Sequence, residues 1–222
     1  MTAPDLKGLF ITFEGPEGCG KSTHVKQLQA ALKKRGIPVT VTREPGSTKI
    51  GKDIRKVLMG AENAVDPMAE LFLFAADRAQ DVSEVIIPAL EKGHAVLCDR
   101  FTDSTLAYQI GGRRLLEDLV RYVNNVSAKG LVPDLTFLLD VPVDLGLSRS
   151  LSVQAAASKS VDRFSREALT FHERLRAYYH ELANNQPDRF RVISTEAPQE
   201  EVHKKIVQET FAAWEKRVGQ PA

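Results

Sequence analysis

Gly15-Pro16-Glu17-Gly18-Cys19-Gly20-Lys21-Ser22 is the stretch from which the rest of this chain can be read. Its glycine and lysine spacing is that of a loop that holds a polyphosphate. Glycines let backbone N–H groups turn inward, the helix N-terminus that follows adds a favourable dipole, Lys21 reaches the β and γ oxygens, and the Ser22 hydroxyl can ligate Mg²⁺. The pattern carries this meaning only between a strand and a helix; elsewhere it is a flexible glycine turn. Here the apolar run Leu9-Phe10-Ile11-Thr12-Phe13 leads in, and Val25, Leu28 and Leu32 share one helical face leading out.

With 222 residues the chain is compatible with one α/β domain and a substantial core, so a single domain over 1–222 is expected. A formal net charge of +1 gives no global field for nucleic acid or an anionic membrane, which points to small-molecule partners. The N-terminus is polar and no apolar run approaches the ~18 residues of a membrane span, so a cytoplasmic location is expected. Cys19 and Cys98 form no C-x-x-C pair and read as separate reduced thiols, and the five histidines are too scattered to suggest a metal site.

Reading onward, Ser22 to Arg35 predicts a helix stopped by Gly36, and Ile37 to Thr42 a short strand. Its exit, Arg43-Glu44-Pro45-Gly46-Ser47-Thr48, lies where open α/β sheets bind ligands. Lys49 to Met59 predicts a helix with Ile50, Ile54 and Val57 or Leu58 inward. Asp66 as N-cap and Pro67 at the first helical position open another, on which Phe74 and Arg78, four residues apart, share a face. Taken alone, that pair also fits a core ring beside a solvated charge. Val82 to Lys92 predicts a helix kinked at Pro88, and Ala95-Val96-Leu97-Cys98 a strand delivering Asp99 and Arg100 to the sheet edge. There an acid can hold Mg²⁺ and an arginine can clamp a phosphate, although a buried ion pair would leave the same trace.

Asp103 and Ser104 are expected to cap a helix through Thr105, Tyr108 and Gln109, and Leu115 to Val126 a further one. Leu135 to Leu139 predicts a fourth strand and Asp144 to Ser152 a helix. Between about 151 and 164 the apolar periodicity fades, which predicts a mobile lid. Helix from Ser165 to Asn184, strand at Phe190 to Ile193 and a C-terminal helix lined by Val202, Ile206, Phe211 and Trp214 complete a five-stranded parallel sheet with helices on both faces, a three-layer α/β sandwich.

Four segments in this order, Phe13-Glu14-Gly15 into the loop, Thr42-Arg43-Glu44-Pro45-Gly46, Leu73-Phe74-Ala75-Ala76-Asp77-Arg78, and Asp99-Arg100-Phe101 through Ala107-Tyr108-Gln109, resemble the bacterial-type thymidylate kinases among the P-loop nucleoside monophosphate kinases, over nearly the whole chain. The resemblance implies ATP-dependent phosphorylation of dTMP to dTDP, with ATP and Mg²⁺ as requirements and a homodimer as the usual assembly. It implies that Phe74 stacks on thymine, that Arg78 and Gln109 bond its edge, and that Tyr108 lies against the sugar where a 2′-hydroxyl would collide. Arg55 and Arg100 would neutralise the acceptor phosphate with Glu44 and Thr105 nearby, and Glu17 would orient the sugar or a metal-bound water. Gly15, Pro16, Glu17, Gly18, Cys19, Gly20, Lys21, Ser22, Thr23 and Arg149 would hold the donor nucleotide, Ser22 and Asp99 the metal.

Three positions depart from that pattern. Ser47 stands where a second glycine is common, Ser165 where an acid is frequent, and Ala155 to Ser160 contains no arginine although the P-loop has none either. Transition-state charge then has to be met by another cation. Arg163 is expected as the principal lid cation and a catalytic residue beside Lys21, Glu17 and Arg100, with Lys159 contributing only as a point charge. Two alternative functions are a kinase for another small acceptor and a catalytically weak dTMP-binding protein. A guanine-nucleotide switch would need an N-K-x-D run, which the chain does not contain.

Overall fold

Strands buried on both faces read as continuous apolar runs, and three of the five strands here do. In the computed structural model, which describes residues 6–60, 64–156, 161 and 163–218, they are β1 (Leu9–Glu14), β3 (Ala95–Asp99) and β4 (Leu135–Asp140), flanked by β2 (Val39–Arg43) and β5 (Phe190–Ser194). All are parallel in the order β2-β3-β1-β4-β5. Alternate side chains go to opposite faces, as the pleat requires. Ile11, Phe13, Leu97, Phe137 and Leu139 pack against Leu28 and Leu32 of α1 (Lys21–Lys34) and Val202 and Ile206 of α9 (Gln199–Val218). Phe10, Val96 and Cys98 pack the other way, against Val82 and Ile86, and Leu138 against Leu71 of α3 (Pro67–Asp81) and Leu175 and Tyr179 of α8 (Leu169–Asn185). The register sets Phe13 level with Asp99 and Arg43 level with Asp99, so the loops leaving β1, β2 and β3 open on one edge.

The α/β sandwich expected from the sequence is therefore the fold observed, with local differences that have physical causes. In α2 (Lys49–Met59), Leu58 is buried but Ile50 and Val57 are exposed; turning the inward face by one residue, about 100°, suffices to exchange them. At Pro88 the chain widens rather than simply kinking. A π-helical turn at Val82–Ile86, in which the Ile87 N–H reaches the Val82 carbonyl, joins α3 to α4 (Ile87–Glu91) and absorbs the proline without an N–H. Asp103 and Ser104 do not cap a helix. They lie inside α5 (Thr102–Thr105), where Asp103 accepts two bonds from Arg189 and Ser104 donates to Glu14; a π-helical stretch at Leu106–Gly112 follows. After α6 (Glu117–Ser127), helix α7 (Val143–Ala156) runs on past the end expected at Ser152, into the first residues of the expected lid. A single 3₁₀ turn, Phe164–Arg166, comes before α8, which starts at Leu169 rather than Ser165 because Glu167 and Ala168 are extended.

Candidate active site

The loop after β1 keeps its shape because no side chain could stand in its place. Gly18 has φ +68°, and a Cβ there would lie 1.9 Å from the Gly146 carbonyl oxygen of α7. Lys21, almost wholly buried, folds over the loop and donates to the Gly15 and Pro16 carbonyls at 3.0 and 2.8 Å and to Cys19 Sγ at 3.2 Å. Ser22 Oγ donates to Asp99 Oδ2 at 2.6 Å, bringing the two expected metal ligands together. Glu17, Gly18, Gly20, Lys21, Ser22 and Thr23 line a cleft of about 400 Å³, while Gly15, Pro16 and Cys19 form the floor of the loop, Cys19 within the core.

Against this loop stands Arg100, whose backbone is left-handed at φ 71°. A non-glycine residue tolerates that conformation only when its surroundings hold it, and here they do. Its N–H donates to the Phe13 carbonyl, and its guanidinium donates to the Gly15 carbonyl, Ser104, Tyr179 and Glu17 Oε1, the last at 2.9 Å. Burial would raise the Glu17 carboxyl, but Arg100, Lys21 and the Tyr108 hydroxyl at 2.7 Å hold it down at about 2, so it stays an acceptor. Beneath this pair lies Glu14, fully buried, accepting from the Phe101 N–H at 2.8 Å and from Ser104 at 2.5 Å. Burial and the neighbouring Asp103 push its carboxyl up to about 7.

The far end is built on α3. Phe74 lines the cleft, and Phe164 stands 6.1 Å from it, centroid to centroid, and edge-on to Tyr108 at 5.4 Å. Arg78 is 1% exposed. It donates through Nε to Glu44 at 2.8 Å, through Nη1 to Asn124, and through Nη2 to the Phe101 carbonyl and Thr105 at 3.1 and 2.9 Å. Among the described residues these bonds use four of the five guanidinium hydrogens and leave one on Nη1. The β2 exit is held down by α3 carboxylates: Asp77 accepts from the Gly46 N–H and Asp81 from Thr42. Burial raises Asp77 to about 6, Asp81 to about 7, and Glu44 well above the usual carboxylate range. Arg55 lines the cleft with Nη1 on the Pro45 carbonyl at 2.9 Å, and Arg149 lines it from α7 while donating to the Thr195 carbonyl.

Gln109 lines the cleft and is fully buried; its Nε2 donates to Glu70 Oε1 at 2.6 Å. Arg163 is not brought to the P-loop. Its Nη2 lies 2.5 Å from Glu70 Oε2 and its Nε donates to the Leu58 carbonyl at 3.2 Å, which places it behind the Gln109 end of the cleft. Lys159 lies outside the described residues.

One cleft thus joins the glycine-rich loop and the Ser22–Asp99 pair to an aromatic slot with an arginine and an amide. A family profile described as thymidylate kinase matches residues 13–206. A thymidylate kinase from Halothermothrix orenii is 49% identical over 201 residues, spanning 90% of this chain and 95% of that protein. One from Geobacter sulfurreducens is 52% identical over 188 residues, 84% and 88% of the two chains. One from Thermomicrobium roseum is 49% identical over 193 residues, 87% and 90%. This chain belongs to the thymidylate kinase family.

Within this thymidylate kinase fold the residues to which the sequence alone assigns no role are Glu14, Glu70, Asp77, Asp81 and Phe164. The carboxylates are fully or almost fully buried. In the sequence an acid of this kind looks like any surface charge, since its partners arrive from elements far along the chain. Phe164 carried one usable signal, an apolar residue immediately after the Asp162-Arg163 pair.

Proposed function

We propose a division of labour within this cleft for a chain that phosphorylates dTMP to dTDP at the expense of ATP. The observation that carries it is the facing of Lys21, Ser22 and Asp99 by Phe74, Arg78 and Gln109 across one cavity. Thymine stacks on Phe74, and Phe164 closes the slot beside it. The remaining Nη1 hydrogen of Arg78 meets a carbonyl of the base. Arg100 and Arg55 take the acceptor phosphate, and Tyr108, pinned by Glu17, fills the space a ribose 2′-hydroxyl would need. On the donor side, loop N–H groups and Lys21 cradle the ATP phosphates, each phosphate contact of Lys21 replacing one of its loop contacts. Arg149 adds a second cation from α7.

Ser22 and Asp99 offer a hydroxyl and a carboxylate oxygen, hard ligands that fit Mg²⁺. When bound, the ion neutralises charge on the β and γ oxygens. The chain's own part is positioning: an acceptor-phosphate oxygen attacks the γ-phosphorus, ADP leaves, and no residue forms a covalent intermediate. Glu17, anionic throughout the working range, acts as an orienting acceptor and not as an acid.

A homodimer is part of the same reading. Phe72 of α3 and Leu116, Tyr122 and Val126 at and along the neighbouring α6 are exposed apolar groups, more than solvation alone favours on two packed helices; sedimentation velocity at micromolar concentration tests it. Cytoplasmic location fits Cys19 and Cys98, both free thiols, and among the described residues no helix is long and apolar enough to cross a membrane.

Coupled detection of ADP release across a panel of nucleoside monophosphates tests the reaction. The expected result is strong preference for dTMP. Preference for another acceptor, or dTMP binding without turnover at saturating ATP, overturns the assignment.

A further inference from the structure

An amide side chain presents an oxygen at one end and two N–H donors at the other, and a binding pocket that uses it has to fix which end faces the ligand. Gln109 is fixed by Glu70. The carboxylate is fully buried; its Oε1 receives Gln109 Nε2 at 2.6 Å and Arg113 Nε at 3.1 Å, and its Oε2 receives Arg113 Nη2 at 3.1 Å and lies 2.5 Å from Arg163 Nη2. A carboxylate paired in this way only accepts, so the end of Gln109 that faces it has to be the nitrogen. Among the described residues Gln109 Oε1, buried in a residue that lines the cleft, has no hydrogen-bond partner. Such an orphan acceptor is costly unless a ligand hydrogen meets it.

We propose that Glu70, which does not line the cleft, is a specificity-determining positioning residue: by locking the Gln109 amide with its oxygen toward the base, it selects a ring that carries N3–H and rejects one whose N3 is an acceptor. Thymine and uracil are of the first kind and cytosine of the second. Against cytosine the locked oxygen would face a lone pair, leaving two acceptors unpaired. Arg113 and Arg163 take part indirectly, by holding the carboxylate where only its oxygens can meet the amide. Arg113 is itself tied to Glu167 at 2.6 Å. The inference rests on the proposed placement of the base beside Gln109.

The test is Glu70→Gln, which keeps the shape but offers the amide at 109 either a donor or an acceptor, so that Gln109 is free to turn over. The readout is the ratio of kcat/KM for dCMP to that for dUMP, two acceptors without the 5-methyl group, measured with the full chain. That ratio is expected to rise about tenfold, the scale of one recovered hydrogen bond, whatever happens to kcat itself. Loss of packing alone would lower both acceptors together and leave the ratio unchanged. Should the single variant not fold, Glu70→Gln with Arg163→Gln restores the local charge balance and is read the same way. Gln109→Met in the Glu70 background separates the two levels of the argument. If it leaves the dCMP to dUMP ratio untouched, the base does not lie against Gln109 and the placement fails. If it shifts the ratio but neither Glu70 variant does, the lock by Glu70 is overturned while the placement stands.

Discussion

The two halves of the cleft are built by different means. On the proposed donor side the lysine's contacts are local: Lys21 reaches partners within six residues of itself, although Ser22 pairs with Asp99, 77 positions on. On the acceptor side they are long-range. Arg78 alone joins Glu44, Phe101, Thr105 and Asn124, and Gln109 leans on Glu70, 39 positions away. A triphosphate needs little more than charge and oriented N–H groups, which one loop supplies. Telling one base from another needs unpaired donors and acceptors at fixed positions in a dry pocket, and only a tertiary network holds them there.

That contrast has consequences of graded size. Arg78→Ala removes the cation from a buried network that keeps Glu44, Asn124 and Thr105 paired, so it is expected to cost about 3 to 5 kcal/mol of stability and to abolish dTMP binding. Denaturant unfolding together with calorimetric titration of dTMP checks this. A well-folded Arg78→Ala protein of unchanged stability would show that the acceptor side is not held by its network. Lys21→Ala is expected to lower kcat by about 10² to 10³ while dTMP affinity stays near that of the wild type, because its partners lie within the donor loop. Equal losses of kcat and dTMP affinity would erase the distinction between the halves.

Glu14 lies under the seam between them and gives the smallest effect. Its folded-state pKa is raised from 4.5 to about 7 by burial and Asp103, so the folded protein retains a proton that the unfolded chain gives up. The stabilisation is complete below pH 4.5 and is lost as the pH rises through about 7. Glu14→Gln cannot titrate. Relative to that variant, the wild type is expected to lose about 1 to 3 kcal/mol between acid and mildly alkaline pH, followed by urea unfolding at a series of pH values. A constant difference between the two proteins would mean that the seam holds no extra proton.

The same contrast governs how much could be read without coordinates. Short apolar and β-branched runs located all five strands, and the Asp66-Pro67 start of α3 was legible because capping is local chemistry. The P-loop needed eight residues. Phe74, Tyr108, Glu44 and Arg100 were reached through motif resemblance, and the cleft brings them together. What stayed hidden depends on remote partners. Asp103 had the look of a helix cap, yet its partner is Arg189, 86 positions on. Arg163 was read as a cation for phosphates because nothing near it in sequence announces Glu70. The π-helical turns were equally invisible, since the i to i−5 step leaves a side-chain pattern close to that of an ordinary helix.

The glycine at 146 has a mechanical side. Where α7 crosses the phosphate loop, backbone meets backbone, and a Cβ on Gly146 would lie 2.5 Å from the Glu17 carbonyl oxygen. This contact is a fulcrum near one end of a rod of 14 residues, about 21 Å long. Arg149 lies three residues beyond it on the long arm, about 4.5 Å along the axis, where a tilt of the rod would move it little. Ala156, about 15 Å out, sweeps more than three times as far for the same angle. A backbone contact made possible by two missing side chains therefore sets Arg149 where any tilt about it displaces the guanidinium far less than the end of the helix at Ala156.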